Sequence, residues 1–238
     1  MNKIKIIIYW LMFLGMLTIN YLSSFNVGNE ADKYQPLIQP AGWAFSIWGL
    51  IYVLLLVWLV LLTIDLFKTD YKTSFGYWPA ANFVLNALWI YVFSEYSKWL
   101  STLVIIGLLI TLIVLYRKVQ YRSYDKIVFG IYFAWTTVAT IVNIFNWVKS
   151  SGTSTVFSLN ELTWTLIMLI IATLLAVYIA VKYRDFIYPM VFIFTFIAIS
   201  IENGISKDVL SIVIGICITI QLIAVIYTMV RNVKIIRS

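Results

Sequence analysis

Aromatic rings and carboxamides within long apolar stretches are the side chains of this sequence that suit ligand chemistry. Trp48, Trp89 and Trp135 lie deep within such stretches, and Asn86 and Asn143 place amide groups at similar positions. An unpaired polar group in hydrocarbon costs several kcal/mol, so each amide needs a hydrogen-bond partner. These residues are therefore either paired across helices or exposed to a polar part of a ligand.

Helical spacing groups these residues on three helix faces. The members are Phe45, Trp48 and Tyr52 on one helix, Asn86 and Trp89 on a second, and Trp135, Ala139, Asn143 and Trp147 on a third. At about 1.5 Å of rise per residue, Trp48, Trp89 and Asn143 lie at similar depths, within about 10 Å of one membrane surface.

Two interpretations of this layer are open on the residues alone. Helix packing would pair the asparagines across helices, with Gly130 and Ala134 letting backbones approach closely. A pocket with aromatic walls and a few amides would instead suit a flat, largely apolar ligand. Stacking would supply contact area there, and the amides would fix the ligand's orientation.

The residue inventory excludes most other kinds of site. The chain has no histidine and one cysteine, Cys217, so disulfides, thiolate zinc sites and histidine-ligated metals or haem lack ligands. Every Asp and Glu lies in a predicted loop or near a predicted span end, which disfavours ion-coupled transport, because such carriers place ionisable groups within their spans. We therefore predict no catalytic residue, no metal site and no resident cofactor.

The elements that must position the aromatic layer are transmembrane helices. Hydrophobic residues make up 63% of the 238 residues and charged residues 11%, whereas a soluble domain is about half apolar and roughly a quarter charged. Apolar stretches long enough to cross the hydrocarbon predict eight spans, or seven if the short seventh is discounted. They lie at about 4–22, 43–66, 78–95, 99–116, 127–148, 161–182, 185–201 and 208–230. The predicted fold is an all-α, multi-pass integral protein of the cell membrane.

Lysine and arginine placement predicts the orientation of these spans, since cytoplasmic loops accumulate basic residues. With eight spans and both termini cytoplasmic, few of the 17 basic residues fall in external segments, namely Lys33, Lys98, Lys149 and Lys207. The cytoplasmic flanks explain the formal charge of +7. We therefore predict the lipid bilayer as a partner and no nucleic acid.

A polar segment at 149–160, rich in Ser and Thr, divides the chain. Nine of the ten tryptophans precede it, and only Trp164 follows it. We therefore predict a five-helix core at 1–150, a linker at 151–160 and three additional helices at 161–238.

Three ordered motifs carry a family resemblance. They are QPAGWAFSIWGLIY after the loop at 23–42, LNALW in the third span and AWTTVATIVN in the fifth. Together they resemble the TspO/MBR family, the tryptophan-rich sensory proteins related to the mitochondrial translocator protein (peripheral benzodiazepine receptor). Ala41 stands where the family has the second proline of a pair. The resemblance covers about residues 1–150, and the matching residues are Pro40, Gly42, Trp43, Phe45, Trp48, Tyr52, Asn86, Trp89, Trp135, Ala139, Thr140 and Asn143.

The resemblance implies a five-helix, often dimeric membrane protein that binds porphyrins, and in some cases cholesterol or synthetic ligands, in a pocket beneath the first loop. It implies that the matching residues other than Thr140 bind the ligand, and that a homodimer is to be expected. We therefore expect a binding protein for a flat hydrophobic small molecule, most directly a tetrapyrrole, in a sensory or regulatory role. Two alternatives are light-dependent porphyrin degradation, reported for some bacterial members, and transport of a hydrophobic small molecule.

Overall fold

The chain folds almost wholly into helices, and the predicted all-α class is confirmed. A computed structural model describes residues 2–68, 74–95, 97–119, 123–205 and 208–237, and the structure is 85% helical. The α-helices in these residues are α1 (Asn2–Asp32), α2 (Ile47–Lys68), α3 (Trp78–Glu95), α4 (Lys98–Lys118), α5 (Ser123–Ser150), α6 (Glu161–Tyr183), α7 (Ile187–Glu202) and α8 (Val209–Arg237). A short 3-10 helix, Gly42–Ser46, precedes α2, and the strands β1 (Thr155–Val156) and β2 (Leu159–Asn160) precede α6.

Within the described residues, 6 helical segments are long and apolar enough to cross a membrane, and the chain is a multi-pass membrane protein. They are Lys3–Phe25, Gly42–Lys68, Lys98–Lys118, Tyr124–Ser150, Glu161–Tyr183 and Val209–Val233. α7 is apolar but has only 16 residues, and α3 carries two buried asparagines among its 18 residues. The count of eight spans and the cytoplasmic termini stay predictions. Of the four lysines predicted to be external, Lys207 lies outside the described residues.

Helix α1 continues to Asp32, although the apolar pattern predicted an end near residue 22. Most residues after Leu22 are polar, and polarity ends a membrane crossing without ending the backbone hydrogen bonding of a helix. The predicted external loop at 23–42 is correspondingly shorter. The non-helical segment between α1 and the 3-10 helix is residues 33–41.

The chain forms two compact units that do not follow chain order. The first comprises Met1–Tyr34 and Ser46–Trp147, and the second comprises Gln35–Phe45 and Val148–Ser238. α1–α4 and nearly all of α5 belong to the first unit, and α6–α8 belong to the second. The segment Gln35–Phe45, which the sequence analysis grouped with the N-terminal core, is part of the unit that contains the last three helices.

The first unit has an aromatic core. Trp58 of α2 is fully buried and packs edge-to-face against Phe75 and Phe129, with ring centroids 5.6 and 5.2 Å away. Tyr9 of α1 stacks on the same indole at 6.4 Å. Each aromatic pair of this kind contributes about 0.5–1.5 kcal/mol beyond its buried area. These contacts tie α1, α2 and α5 together at one end of the unit.

The second unit is a bundle of three helices in which α6 and α8 run parallel. Hydrogen bonds join the two helices at a constant separation of 48 residues, as in Gln221 Nε2 to Thr173 Oγ1 at 3.0 Å and Thr228 Oγ1 to the Ala180 carbonyl at 3.5 Å. A constant separation requires the two helices to advance in the same direction. α7 packs against both of them.

Candidate functional site

Trp48 of α2 is the centre of a cluster of five aromatic rings, which we call the ring cluster. Its indole stacks on Tyr52 at 6.0 Å and lies tilted against Trp89 at 5.3 Å between ring centroids. Tyr132 and Trp135 of α5 meet it edge-on at 6.0 and 6.4 Å. Four of the predicted aromatic residues, Trp48, Tyr52, Trp89 and Trp135, therefore meet in one layer of the first unit, and the three indoles among them are buried. Of the other two, Phe45 belongs to the second unit and Trp147 is exposed.

The Asn86 amide links three helices beside this cluster. It accepts a hydrogen bond from Asn20 Nδ2 at 2.7 Å and donates one from Nδ2 to the Tyr132 hydroxyl at 2.8 Å. Asn20 Nδ2 also donates to the Tyr52 hydroxyl at 2.7 Å. Both tyrosines belong to the ring cluster, so one amide network fixes α1, α2, α3 and α5 around it.

The Asn143 amide forms a second network on the other side of Trp89. Its Oδ1 accepts a hydrogen bond from Trp89 Nε1 at 2.9 Å. Its Nδ2 donates to Ser101 Oγ at 2.9 Å and to Thr102 Oγ1 at 2.8 Å in the first turns of α4. Both predicted asparagines are thus paired across helices, as the packing interpretation required, and they also orient the aromatic rings.

A partly buried ion pair lies at the end of the unit where Asn143 meets α4. Lys98 is 5% exposed, and its Nζ donates to Glu30 Oε2 and to the Phe93 carbonyl, both at 2.9 Å. The ammonium also lies 3.9 Å from the centroid of the Phe93 ring. The hydrogen bond from Lys98 holds the pKa of the Glu30 carboxyl below its usual range, against the opposing effect of burial.

The predicted loop residues Pro40, Gly42, Trp43 and Phe45 belong to the second unit. There Trp43 is half exposed and packs edge-on against Phe194 of α7 at 5.3 Å. The remaining predicted residues, Trp48, Tyr52, Asn86, Trp89, Trp135, Ala139 and Asn143, belong to the first unit. Ala139 is buried on α5, one turn from both Trp135 and Asn143.

Sequence reasoning missed Asn20, Tyr132, Ser101, Thr102 and Lys98. Asn20 is an amide within an apolar stretch, which is the signal that identified Asn86. The first span was predicted to end near residue 22, so Asn20 lay close to its end and was not selected. Tyr132 lies three residues before Trp135 and therefore shares its helix face. Ser101, Thr102 and Lys98 lie at the start of α4, where polar residues are ordinary, and no sequence signal distinguished them.

The chemistry available in the ring cluster is stacking and hydrogen bonding. In the described part of the chain, no group of three or more His, Cys, Asp and Glu side chains lies close enough to hold a metal ion. The indoles and phenols offer flat faces, and the amides offer fixed donors and acceptors.

Comparison with known proteins identifies one family. A family model described as TSPO-like protein matches residues 6–227. The match extends through most of α8, well beyond residue 150, where the resemblance seen in the motifs ended. No curated protein and no solved structure matched the chain.

Proposed function

The chain belongs to the TSPO-like protein family, and from this premise we propose that its first unit binds a flat hydrophobic ligand, most directly a tetrapyrrole, in a sensory or regulatory role. Family membership indicates membrane-embedded ligand binding or transport in general terms. The ligand class and the role are our proposal. The observation that carries it is the ring cluster around Trp48.

The ring cluster supports a flat ligand because its rings come from three helices, α2, α3 and α5, and offer flat faces to a ligand that enters between these helices. The ring centroids of Trp48 and Trp89 are 5.3 Å apart, and the ring planes meet at 38°. This arrangement is intermediate between parallel stacking and an edge-to-face contact. Stacking and edge contacts between aromatic groups contribute about 0.5–1.5 kcal/mol each beyond area burial. A macrocycle that enters between the helices would replace these ring–ring contacts with stacking contacts of larger area.

An unsatisfied acceptor beside the cluster supports ligand hydrogen bonding. Asn20 is 7% exposed, and its Oδ1 atom has no hydrogen-bond partner within the part of the chain that the structure describes. Leaving such a group buried and unpaired costs about 1–3 kcal/mol. A ligand N–H group, such as a pyrrole, would recover part of this cost. The proposed site comprises Asn20, Trp48, Tyr52, Asn86, Trp89, Tyr132, Trp135, Ala139 and Asn143.

Porphyrin titration of purified protein in detergent micelles tests the proposal. Protoporphyrin IX should bind with a shift of its Soret absorption band, and Trp48→Phe, Trp89→Phe and Trp135→Phe should each weaken binding. We expect about a tenfold loss for Trp48→Phe, because that indole contacts four other rings. Trp89→Phe additionally removes the hydrogen bond to Asn143.

The matched control is Trp164→Phe, which alters an indole of α6 in the second unit. Soret absorbance reports the ligand itself, so removing a tryptophan does not alter the signal directly. Unchanged affinity in the three cluster variants, or an equal loss in Trp164→Phe, would refute the proposed site.

A further inference from the structure

Lys98 is a buried cation at one end of the ring cluster. Among the basic residues that the structure describes, it is the one whose side chain is buried. A lysine in such a position is expensive unless its charge is paired. Here the pairing comes from Glu30, with a further hydrogen bond to a backbone carbonyl.

A continuous path of aromatic rings joins this cation to the centre of the cluster. The ammonium lies 3.9 Å from the centroid of the Phe93 ring, and Phe93 lies 6.2 Å from Trp89. Trp89 in turn lies 5.3 Å from Trp48. A flat ligand seated along this path therefore brings one edge to Lys98.

The position of Lys98 relative to the cluster is fixed by hydrogen bonds. Its carbonyl accepts from Ser101 Oγ at 3.0 Å and Thr102 Oγ1 at 2.8 Å. The same two hydroxyl groups accept from the Asn143 amide, which holds Trp89. The backbone of Lys98 and the Trp89 indole are thus held by one network, and the ammonium itself is held by Glu30 and the Phe93 carbonyl.

Glu30 is the exchangeable half of the ion pair. Its side chain is 30% exposed, whereas that of Lys98 is 5% exposed. A carboxylate supplied by a ligand has the same charge and acceptor geometry as Glu30, so it can replace Glu30 on the ammonium without leaving a bare buried charge. A neutral ligand cannot make this exchange.

We infer that Lys98 is the anion-binding end of the proposed site, where a carboxylate on the edge of the ligand displaces Glu30. This inference rests on the proposed function and narrows it to aromatic acids such as porphyrins with free propionates. Neutral sterols and esterified macrocycles lack the group that Lys98 would bind. Glu30 keeps the lysine neutralised when no ligand is present.

A matched pair of ligands tests the inference, namely protoporphyrin IX and its dimethyl ester, which has the same ring but no carboxylate. Both are titrated into the full-length protein in the same micelles. Wild-type protein should bind the diacid at least about threefold more tightly than the ester, because only the diacid can pair with Lys98 and the loss of the pair with Glu30 offsets part of that gain. Lys98→Met should remove this preference by weakening diacid binding and leaving ester binding unchanged.

Two further variants complete the test. Glu30→Gln removes the competing carboxylate and keeps the lysine, so it should tighten diacid binding and leave ester binding unchanged. Lys149→Met, which removes the lysine of an ion pair in the second unit, should leave both affinities at the wild-type values.

The outcomes separate the inference from the proposed function. Equal affinity of wild-type protein for the two porphyrins would overturn the role of Lys98 and leave the proposed function standing. Failure of both porphyrins to bind would overturn the proposed function and the inference with it. If Lys98→Met does not fold, the Glu30→Gln variant decides, and an unchanged diacid-to-ester ratio in it would overturn the inference.

Discussion

At the residue scale, two buried asparagines orient the side chains of the ring cluster through hydrogen bonds. Asn86 contacts an amide and a phenol from two other helices, and Asn143 contacts an indole and two hydroxyls. Each amide has both donors and acceptors, so it can join groups that could not bond to one another directly. In a membrane such networks hold helices together where apolar contacts alone do not favour one register.

Replacing Asn86 should therefore be more costly than replacing Asn82 on the same helix. Asn86→Leu leaves the Asn20 amide and the Tyr132 hydroxyl without this partner, and we expect it to lower the free energy of unfolding by about 1–3 kcal/mol. Asn82 is equally buried, but its partner Thr111 keeps a hydrogen bond to the Leu108 carbonyl. Thermal unfolding in detergent, followed by circular dichroism, measures the difference. Equal losses in Asn82→Leu and Asn86→Leu would contradict the prediction.

The ion pair of Glu30 and Lys98 predicts a stability that depends on pH. The folded-state pKa of Glu30 is lowered, chiefly by the hydrogen bond from Lys98, so the carboxylate stabilises the fold above its unfolded pKa of about 4.3. That stabilisation is lost as the pH falls through the lower folded-state pKa.

The corresponding experiment compares wild-type protein with Glu30→Gln from neutral to acidic pH. Wild-type protein should be the more stable at neutral pH, and the difference in melting temperature should shrink as the pH falls below about 4. Asp32→Asn, on the last residue of the same helix, controls for the change in net charge. A difference that stays constant with pH would rule out the ion pair as its source.

The contacts among the aromatic rings and amides were partly predictable from the sequence. Helical spacing and the cost of unpaired amides sufficed to bring Trp48, Trp89 and Asn143 into one layer, and the structure shows the contacts between them. The ion pair with Lys98 was not predictable. It joins residues 68 positions apart, and neither one breaks a periodic pattern.

At the element scale, the segment Gln35–Phe45 is held by the ends of α6 and α7. Glu161 Oε1 accepts a hydrogen bond from the Leu37 amide at 2.7 Å, and the Asn203 amide donates to the Leu37 carbonyl at 2.9 Å. The Ala41 amide bonds to the Ala198 carbonyl at 3.2 Å. These bonds explain why the segment belongs to the second unit, although it precedes α2 in the chain.

Glu161→Ala should release this segment. The variant removes the acceptor for the Leu37 amide and the ion pair with Lys149 at 3.0 Å. Hydrogen exchange of the amides in residues 35–45 should then accelerate by about tenfold or more, because hydrogen bonds to charged groups contribute about 1.5–3 kcal/mol. Mass spectrometry of the corresponding peptides measures the rate.

The control for this variant is Asp208→Ala in the same unit. Asp208 Oδ1 also accepts a hydrogen bond from a backbone amide at the start of a helix, that of Ser211 at 2.8 Å. The loss of this carboxylate should leave exchange in residues 35–45 unchanged. Equal acceleration in both variants would indicate general loosening of the unit and count against the specific role of Glu161.

Helix boundaries were predictable where the helix and the apolar stretch end at the same residues. The third span was predicted at 78–95, and α3 is Trp78–Glu95. The sixth was predicted at 161–182, and α6 is Glu161–Tyr183, with the Asn160 side chain accepting from the Thr163 amide at its start. α1 was predicted too short because its last turns are mostly polar. Polar residues form the backbone hydrogen bonds of a helix as readily as apolar residues do.

At the scale of the whole molecule, the last three helices are part of the family match, and they share a compact unit with a segment that precedes α2. The sequence motifs predicted neither. The match covers residues 6–227, and the second unit includes the loop segment before α2 as well as α6–α8. Motif spacing alone indicated a division near residue 150, because aromatic residues are concentrated before it. The grouping of Gln35–Phe45 with the second unit was not predictable, because it depends on hydrogen bonds between distant segments, which leave no periodic signal.

Membrane orientation is the remaining whole-molecule prediction, and the single cysteine makes it accessible to labelling. Replacing the buried Cys217 by alanine leaves no native thiol, and Lys3→Cys, Thr153→Cys and Val233→Cys then probe three exposed positions. With eight spans and cytoplasmic termini, a membrane-impermeant maleimide labels only Thr153→Cys in intact cells and labels all three after lysis. Labelling of Val233→Cys in intact cells would contradict the eight-span topology, in which α7 crosses the membrane and lets α6 and α8 run in the same direction. Protection of Thr153→Cys in intact cells would likewise contradict the eight-span topology, because it would place the 149–160 segment on the cytoplasmic side. External labelling of Lys3→Cys would reverse the predicted orientation.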